Sequence, residues 1–105
     1  MAKMIPKPLM FAIKRYVFKG ILPGHFLTEV IKNNLFGAVG RADEESMKAL
    51  KEIIVFLYNR TPGVCWGSED KMRKWISLSE LEREKITRNF KKDFADYEKR
   101  NSTDL

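Results

Sequence analysis

The stretch Asp43-Glu44-Glu45-Ser46-Met47-Lys48-Ala49-Leu50-Lys51-Glu52-Ile53-Ile54-Val55-Phe56-Leu57-Tyr58-Asn59-Arg60 decides the fold. Asp43 is a strong helix N-cap, because a short carboxylate can accept from the free backbone N–H groups of the first turn. Glu44 and Glu45 follow at the positive end of the helix dipole. Met47, Leu50, Ile54 and Leu57 recur at helical spacing, and Ile53, Val55, Phe56 and Tyr58 add apolar surface beside them. A helix this apolar on several sides belongs at the centre of a bundle. Thr61-Pro62-Gly63 stops it.

Outward from this centre, Gly and Pro divide the chain into further helices. The first is predicted from Pro8 to Lys19, with Leu9, Ile13, Tyr16 and Val17 as its stripe and Gly20 as its stop. The second is predicted from His25 to Phe36, followed by a connector over Gly37–Ala42. Ser68 caps a short fourth helix whose Met72, Trp75 and Ile76 face inward. Ser79-Glu80-Leu81-Glu82 reads as a capping box, opening a fifth helix with Leu81, Ile86, Phe90, Phe94 and Tyr97 on one side. Residues 101–105 are polar and read as a frayed end. No alternating strand pattern is present. The expected fold is all-α, a compact single-domain bundle of about five helices spanning 1–105.

The chain has 105 residues, too few for a second core. It is 44% hydrophobic and 32% charged, which excludes a disordered tail. The longest apolar run, Ile53–Tyr58, is far short of a membrane span. No apolar signal core is seen, so a cytoplasmic protein is expected. One Cys and one His cannot by themselves build a structural zinc site, and no cofactor motif is present.

The net charge is +6, unevenly spread. Residues 1–35 hold six basic residues and one acid, a net +5. Lys7, Lys14, Arg15, Lys19 and Lys32 have almost no acidic neighbours in sequence, so this third is the part expected to meet an anion. The final helix mixes signs as a solvated face does.

Catalysis is not expected. His25 and Cys65 are the only candidates for a nucleophilic pair, and Cys65, between Val64 and Trp66, reads more simply as a small buried residue. Binding is better supported. The second helix opens Pro23-Gly24-His25-Phe26-Leu27-Thr28 with no acid before Glu29, whereas the starts of the third, fourth and fifth helices carry their own acids. Free N–H groups at Gly24 and His25 suit a phosphate; the plain alternative is a Pro-Gly turn. Arg41 can fork two bonds to an anion or pair with Asp43 or Glu44. Trp66 can stack on a base or plug the core. Lys19 and Arg60 are peripheral charges. Helix-turn-helix DNA binding is disfavoured, because the candidate recognition helix opens with three acids.

Gly20-Ile21-Leu22-Pro23-Gly24-His25-Phe26-Leu27, Asn34-Leu35-Phe36-Gly37, Gly40-Arg41-Ala42-Asp43, Phe56-Leu57-Tyr58-Asn59-Arg60-Thr61-Pro62 and Cys65-Trp66-Gly67-Ser68 together resemble a group of small proteins of tailed phages and prophages without an established activity. The resemblance covers about residues 15–75. It departs at Leu22 and Glu69, where that group often has Pro, and at Asn34, where it often has an acid. It implies an origin in a phage and action in the host cytoplasm. The expected function is therefore non-catalytic binding of a small phosphorylated, nucleotide-type host immune signal by Gly24, His25, Arg41 and Trp66, with a homo-oligomer expected. The alternatives are an effector docking on a host protein through its basic N-terminal third, and a non-specific nucleic-acid binder.

Overall fold

The computed structural model describes residues 4–102, with side chains through residue 99. Helix α1 spans Lys7–Lys19, α2 His25–Ile31, α3 Leu35–Arg41 and α4 Glu44–Arg60. A 3-10 turn, Gly63–Cys65, leads to α5, Glu69–Ser77. Then α6, Glu80–Thr87, a 3-10 turn at Arg88–Phe90 and α7, Lys91–Ser102, run on without a break. The described residues contain no strand, so the all-α reading holds.

The caps follow local chemistry. Asp43 accepts from Ser46 N–H at 2.7 Å, Ser68 accepts from Lys71 N–H at 3.1 Å, and Ser79 and Glu82 form the reciprocal capping box. Two of the five predicted segments are divided. Asn33 adopts a left-handed backbone, φ 63°, which ends α2, and Asn34 then caps α3 by accepting from Gly37 N–H. Asparagine tolerates both roles better than most residues. The predicted Gly37–Ala42 connector is thus largely helical, with Gly37 and Gly40 inside α3. The last helix tightens at Arg88–Phe90. Of the tail read as frayed, Asn101 and Ser102 complete α7, and 103–105 lie outside the described residues.

One core gathers Ile13, Tyr16, Val17, Leu27, Ile31, Ile53, Trp75 and Phe94. Phe94 meets Phe18 and Phe56 edge-on at 4.8 and 4.9 Å, and Phe56 meets Tyr97 at 4.9 Å. These contacts join α1, α4 and α7. Trp75 donates to the Tyr16 carbonyl at 3.1 Å, and Gly67 N–H donates to the Ile31 carbonyl at 2.8 Å. Both pairs leave no orphan backbone group where loops meet helices.

Two helices present a different face from the one predicted. The core side of α4 is Ser46, Ala49, Ile53, Phe56 and Leu57; Met47, Ile54 and Tyr58 are exposed. In α6 the buried positions are Arg83 and Thr87, while Leu81 and Ile86 face out. Arg83 is drawn inward by the end of α5, donating to the carbonyls of Trp75 at 3.2 Å and Leu78 at 2.7 Å. Those carbonyls sit at the negative end of a helix dipole, so the guanidinium is stabilised there without a carboxylate.

Candidate functional site

A groove of about 550 Å³ lies between α1 and the α6–α7 arm. Its α1 wall is Phe11, Lys14, Arg15, Phe18 and Lys19, spaced so that one helical face supplies them all. The opposite wall is Glu80, Glu84 and Thr87 of α6 with Lys91, Phe94 and Glu98 of α7. The aromatic rings give the groove an apolar floor. Charged stems form its rim.

Two ion pairs cross the groove. Lys14 meets Glu98 at 3.1 Å, and Lys19 meets Glu80 at 3.5 Å. Both are solvent-exposed and so hold weakly. The Arg15 guanidinium lies 5.4 Å from the Phe11 ring centre, a cation–π arrangement. Among the described residues Arg15, Lys91 and Glu84 carry no ion pair, so two cations and one carboxylate on this rim stay available.

A second, smaller recess of about 150 Å³ is lined by Val30, Asn33, Ile54, Leu57, Tyr58, Trp66 and Gly67. Trp66 is half-buried, its ring 5.9 Å from that of Tyr58. Its indole N–H is buried without an acceptor. Trp66 thus packs against the core with one edge and lines this recess with another.

The residues singled out from the sequence do not share one pocket. Lys19 lines the large groove and Trp66 the small recess; Gly24, His25, Arg41 and Arg60 line neither. Gly24 and His25 are exposed at the start of α2, whose first turn carries no acid, as read, but whose length is only seven residues. Arg41 is exposed and does not form the alternative pair with Asp43 or Glu44. Asp43 accepts from Ser46, and Glu44 pairs with Lys48 at 3.5 Å. The charge of Arg41 is felt at Glu29, whose carboxyl is held below its usual range by the Asn34 amide first, then Lys32, and least by Arg41. Arg60 pairs with Asp93 at 3.8 Å. Tyr58, read from the sequence as core, is 71% exposed.

Phe11, Arg15, Phe18 and Lys91 were not singled out as site residues, though Arg15 belongs to the basic N-terminal third. The signal was present: Phe11, Lys14, Arg15 and Phe18 form an outward i, i+3, i+4, i+7 face beside the core stripe of α1. Such a face is legible as a site only once α6 and α7 are known to lie across it.

Cys65 is buried, and loss of solvent pushes its thiol up to about 12. It stays protonated at neutral pH, a poor nucleophile. Tyr16, buried beside it, donates its hydroxyl to the Cys65 carbonyl at 2.7 Å, and burial raises its pKa too. No cluster of three or more His, Cys, Asp or Glu among the described residues has metal-binding geometry. No described helix is long and apolar enough to cross a membrane.

The raised thiol has a consequence for stability. A folded pKa above the unfolded value, about 8.5, means the unfolded chain ionises first as pH rises. The stabilisation is complete below the unfolded pKa and is lost progressively above it. The melting temperature is expected to fall between about pH 8 and about pH 10, and Cys65→Ala is expected to flatten that slope. An unchanged slope in the variant would show that the thiol does not carry it.

Searches of family models, curated proteins and solved structures find no match to this chain.

Proposed function

We propose that this is a non-catalytic binding protein for a small phosphorylated ligand of nucleotide type, held in the groove between α1 and α6–α7. The observation that carries the reading is one groove combining phenylalanine side chains with two cations that make no ion pair among the described residues, Arg15 and Lys91. A base stacks on aromatic surface, and phosphates accept charge-assisted bonds from guanidinium and ammonium groups. Glu84, without a cation of its own, can accept from ribose hydroxyls. Its volume lies in the range of ordinary ligand pockets. Lys14 and Lys19 can turn from Glu98 and Glu80 to a phosphate at little cost, because exposed pairs are worth ~1 kcal/mol or less.

Biologically, the reading is sequestration. The likeness of residues 15–75 to phage proteins supports a role in an infected host cell, where binding withdraws a nucleotide immune signal without cleaving it. The groove replaces the Gly24, His25, Arg41 and Trp66 rim as the preferred location, since those residues line no common recess.

The test is a thermal-shift screen of the full chain against cyclic and linear nucleotides, including adenosine-diphosphate-ribose compounds. A ligand at one hundred times its dissociation constant adds about 2.7 kcal/mol. In a domain of this size that is a rise of roughly 10 °C or more. Arg15→Ala is expected to lower affinity by roughly tenfold or more with the apo melting temperature unchanged, as lost charge-assisted bonds do. Arg41→Ala is expected to have no effect. A flat screen would remove the nucleotide reading and favour docking on a host protein.

A further inference from the structure

The groove between α1 and the α6–α7 arm holds anions of its own. Four cations and three carboxylates line it, which leaves one net positive charge. Overall attraction therefore does little to choose among anions, and the choice falls to local exchanges. Lys19 already carries the Glu80 carboxylate at 3.5 Å, and Lys14 carries that of Glu98 at 3.1 Å. Arg15, between these lysines in sequence, makes no ion pair among the described residues.

We infer, resting on the nucleotide reading of this groove, that Glu80 and Glu98 set the kind of phosphate it takes: a terminal phosphate monoester, in preference to a cyclic phosphate or other phosphodiester. An anion reaches Lys19 or Lys14 only by replacing a glutamate. A phosphodiester carries one negative charge, so it exchanges like for like and gains little. A phosphate monoester carries a charge of about −1.5 to −2 at pH 7 and three strong acceptor oxygens, so the same exchange is favourable. The displaced glutamates are not stranded, because the Glu80 and Glu98 side chains are 75% and 42% exposed and water takes over from the lysines. Arg15 attracts either kind of phosphate. It supplies affinity, and the glutamate-held lysines supply discrimination.

A plainer role for the two ion pairs is to fasten the arm against α1. The arm has stronger fastenings. Phe94 of α7 packs edge-on against Phe18 of α1, and buried Arg83 of α6 holds the carbonyls at the end of α5. Exposed pairs add little to such contacts. The two roles predict opposite signs. Removing a competitor tightens ligand binding, whereas removing a fastening loosens the groove and weakens it.

Calorimetric titration of the full chain with adenosine 5′-monophosphate and adenosine 3′,5′-cyclic monophosphate tests this, with the guanosine pair alongside. Within each pair the base and sugar are the same; one form is a monoester and the other a cyclic diester. The monoester is expected to bind roughly fivefold more tightly or better, the value of one added unit charge near an ammonium in water. Glu80→Gln and Glu98→Gln are each expected to tighten monoester binding by up to about fivefold, the most that an exposed pair is worth. Joint Lys14→Gln and Lys19→Gln substitution is expected to bring the two forms close to equal affinity. Equal affinity in the unsubstituted protein overturns the inference and leaves the groove reading in place. So does monoester binding that is unchanged or weakened in both glutamine variants while their helical circular dichroism is kept. No binding of any of the four nucleotides removes the inference and the reading together.

Discussion

Gly20→Ala is expected to lower stability by about 3 kcal/mol, a loss of roughly 12–24 °C in melting temperature for a domain of this size. Gly20 closes α1 in the left-handed region, φ 68°, with its N–H bonded to the Tyr16 carbonyl at 2.9 Å. A side chain there costs about 1–2 kcal/mol from backbone strain alone. The new methyl would also overlap the Arg83 guanidinium. Arg83 is 4% exposed and cannot withdraw without abandoning the Trp75 and Leu78 carbonyls at the end of α5. The Trp75 carbonyl keeps the Leu78 N–H at 3.3 Å, but the Leu78 carbonyl would be left without a donor, which adds about 1–3 kcal/mol. Gly24→Ala is the control, because a Cβ there meets nothing within 4 Å and φ is −65°. Urea melts of the two variants check this. A Gly20→Ala loss no larger than that of Gly24→Ala would mean that Arg83 does not lock α1 to α5.

Phe94→Ala is expected to cost about 3–5 kcal/mol, close to the whole stability of a marginal domain. Phe94 is 1% exposed and meets the rings of both Phe18 and Phe56 edge-on. Its loss opens a cavity where α1, α4 and α7 converge and removes two ring pairs worth about 0.5–1.5 kcal/mol each beyond burial. Phe94→Leu keeps most of the volume and is expected to cost less than half as much. Because Phe94 also floors the groove, the leucine variant is the one to carry into ligand titrations. Chemical denaturation with a circular-dichroism readout decides it. A loss under 1 kcal/mol for Phe94→Ala would show that α7 is not held on this cluster.

Caps and stops were legible in the sequence because their chemistry is local. Asp43, Ser68 and Ser79 each needed only the next three residues to be recognised, and each caps a helix as read. The α2–α3 break was not legible, since Asn33 and Asn34 are ordinary residues until a left-handed turn uses them. The core face of α4 was misplaced by one residue. Periodicity favours the bulkier Met47 and Ile54, but the buried side holds Ser46 and Ala49, which a sequence reading of apolar bulk passes over. Arg83 was illegible for a deeper reason. A basic residue amid Glu82, Glu84 and Lys85 reads as solvated, and only the open end of α5 makes its burial favourable. The same limit applied to the site. The basic character of the N-terminal third was visible, yet the groove exists only because α6 and α7 lie across Phe11, Arg15 and Phe18.

The most direct test of the proposed function is a two-dimensional amide NMR titration of the isotope-labelled full chain. The probe is the nucleotide giving the largest thermal shift. The account predicts saturable changes concentrated on residues 11–19 of α1 and residues 84–98 of the α6–α7 arm, with the Trp66 indole signal unmoved. Changes centred on Gly24, His25, Arg41 and Trp66 instead, or no saturable change, would contradict the groove as the binding site.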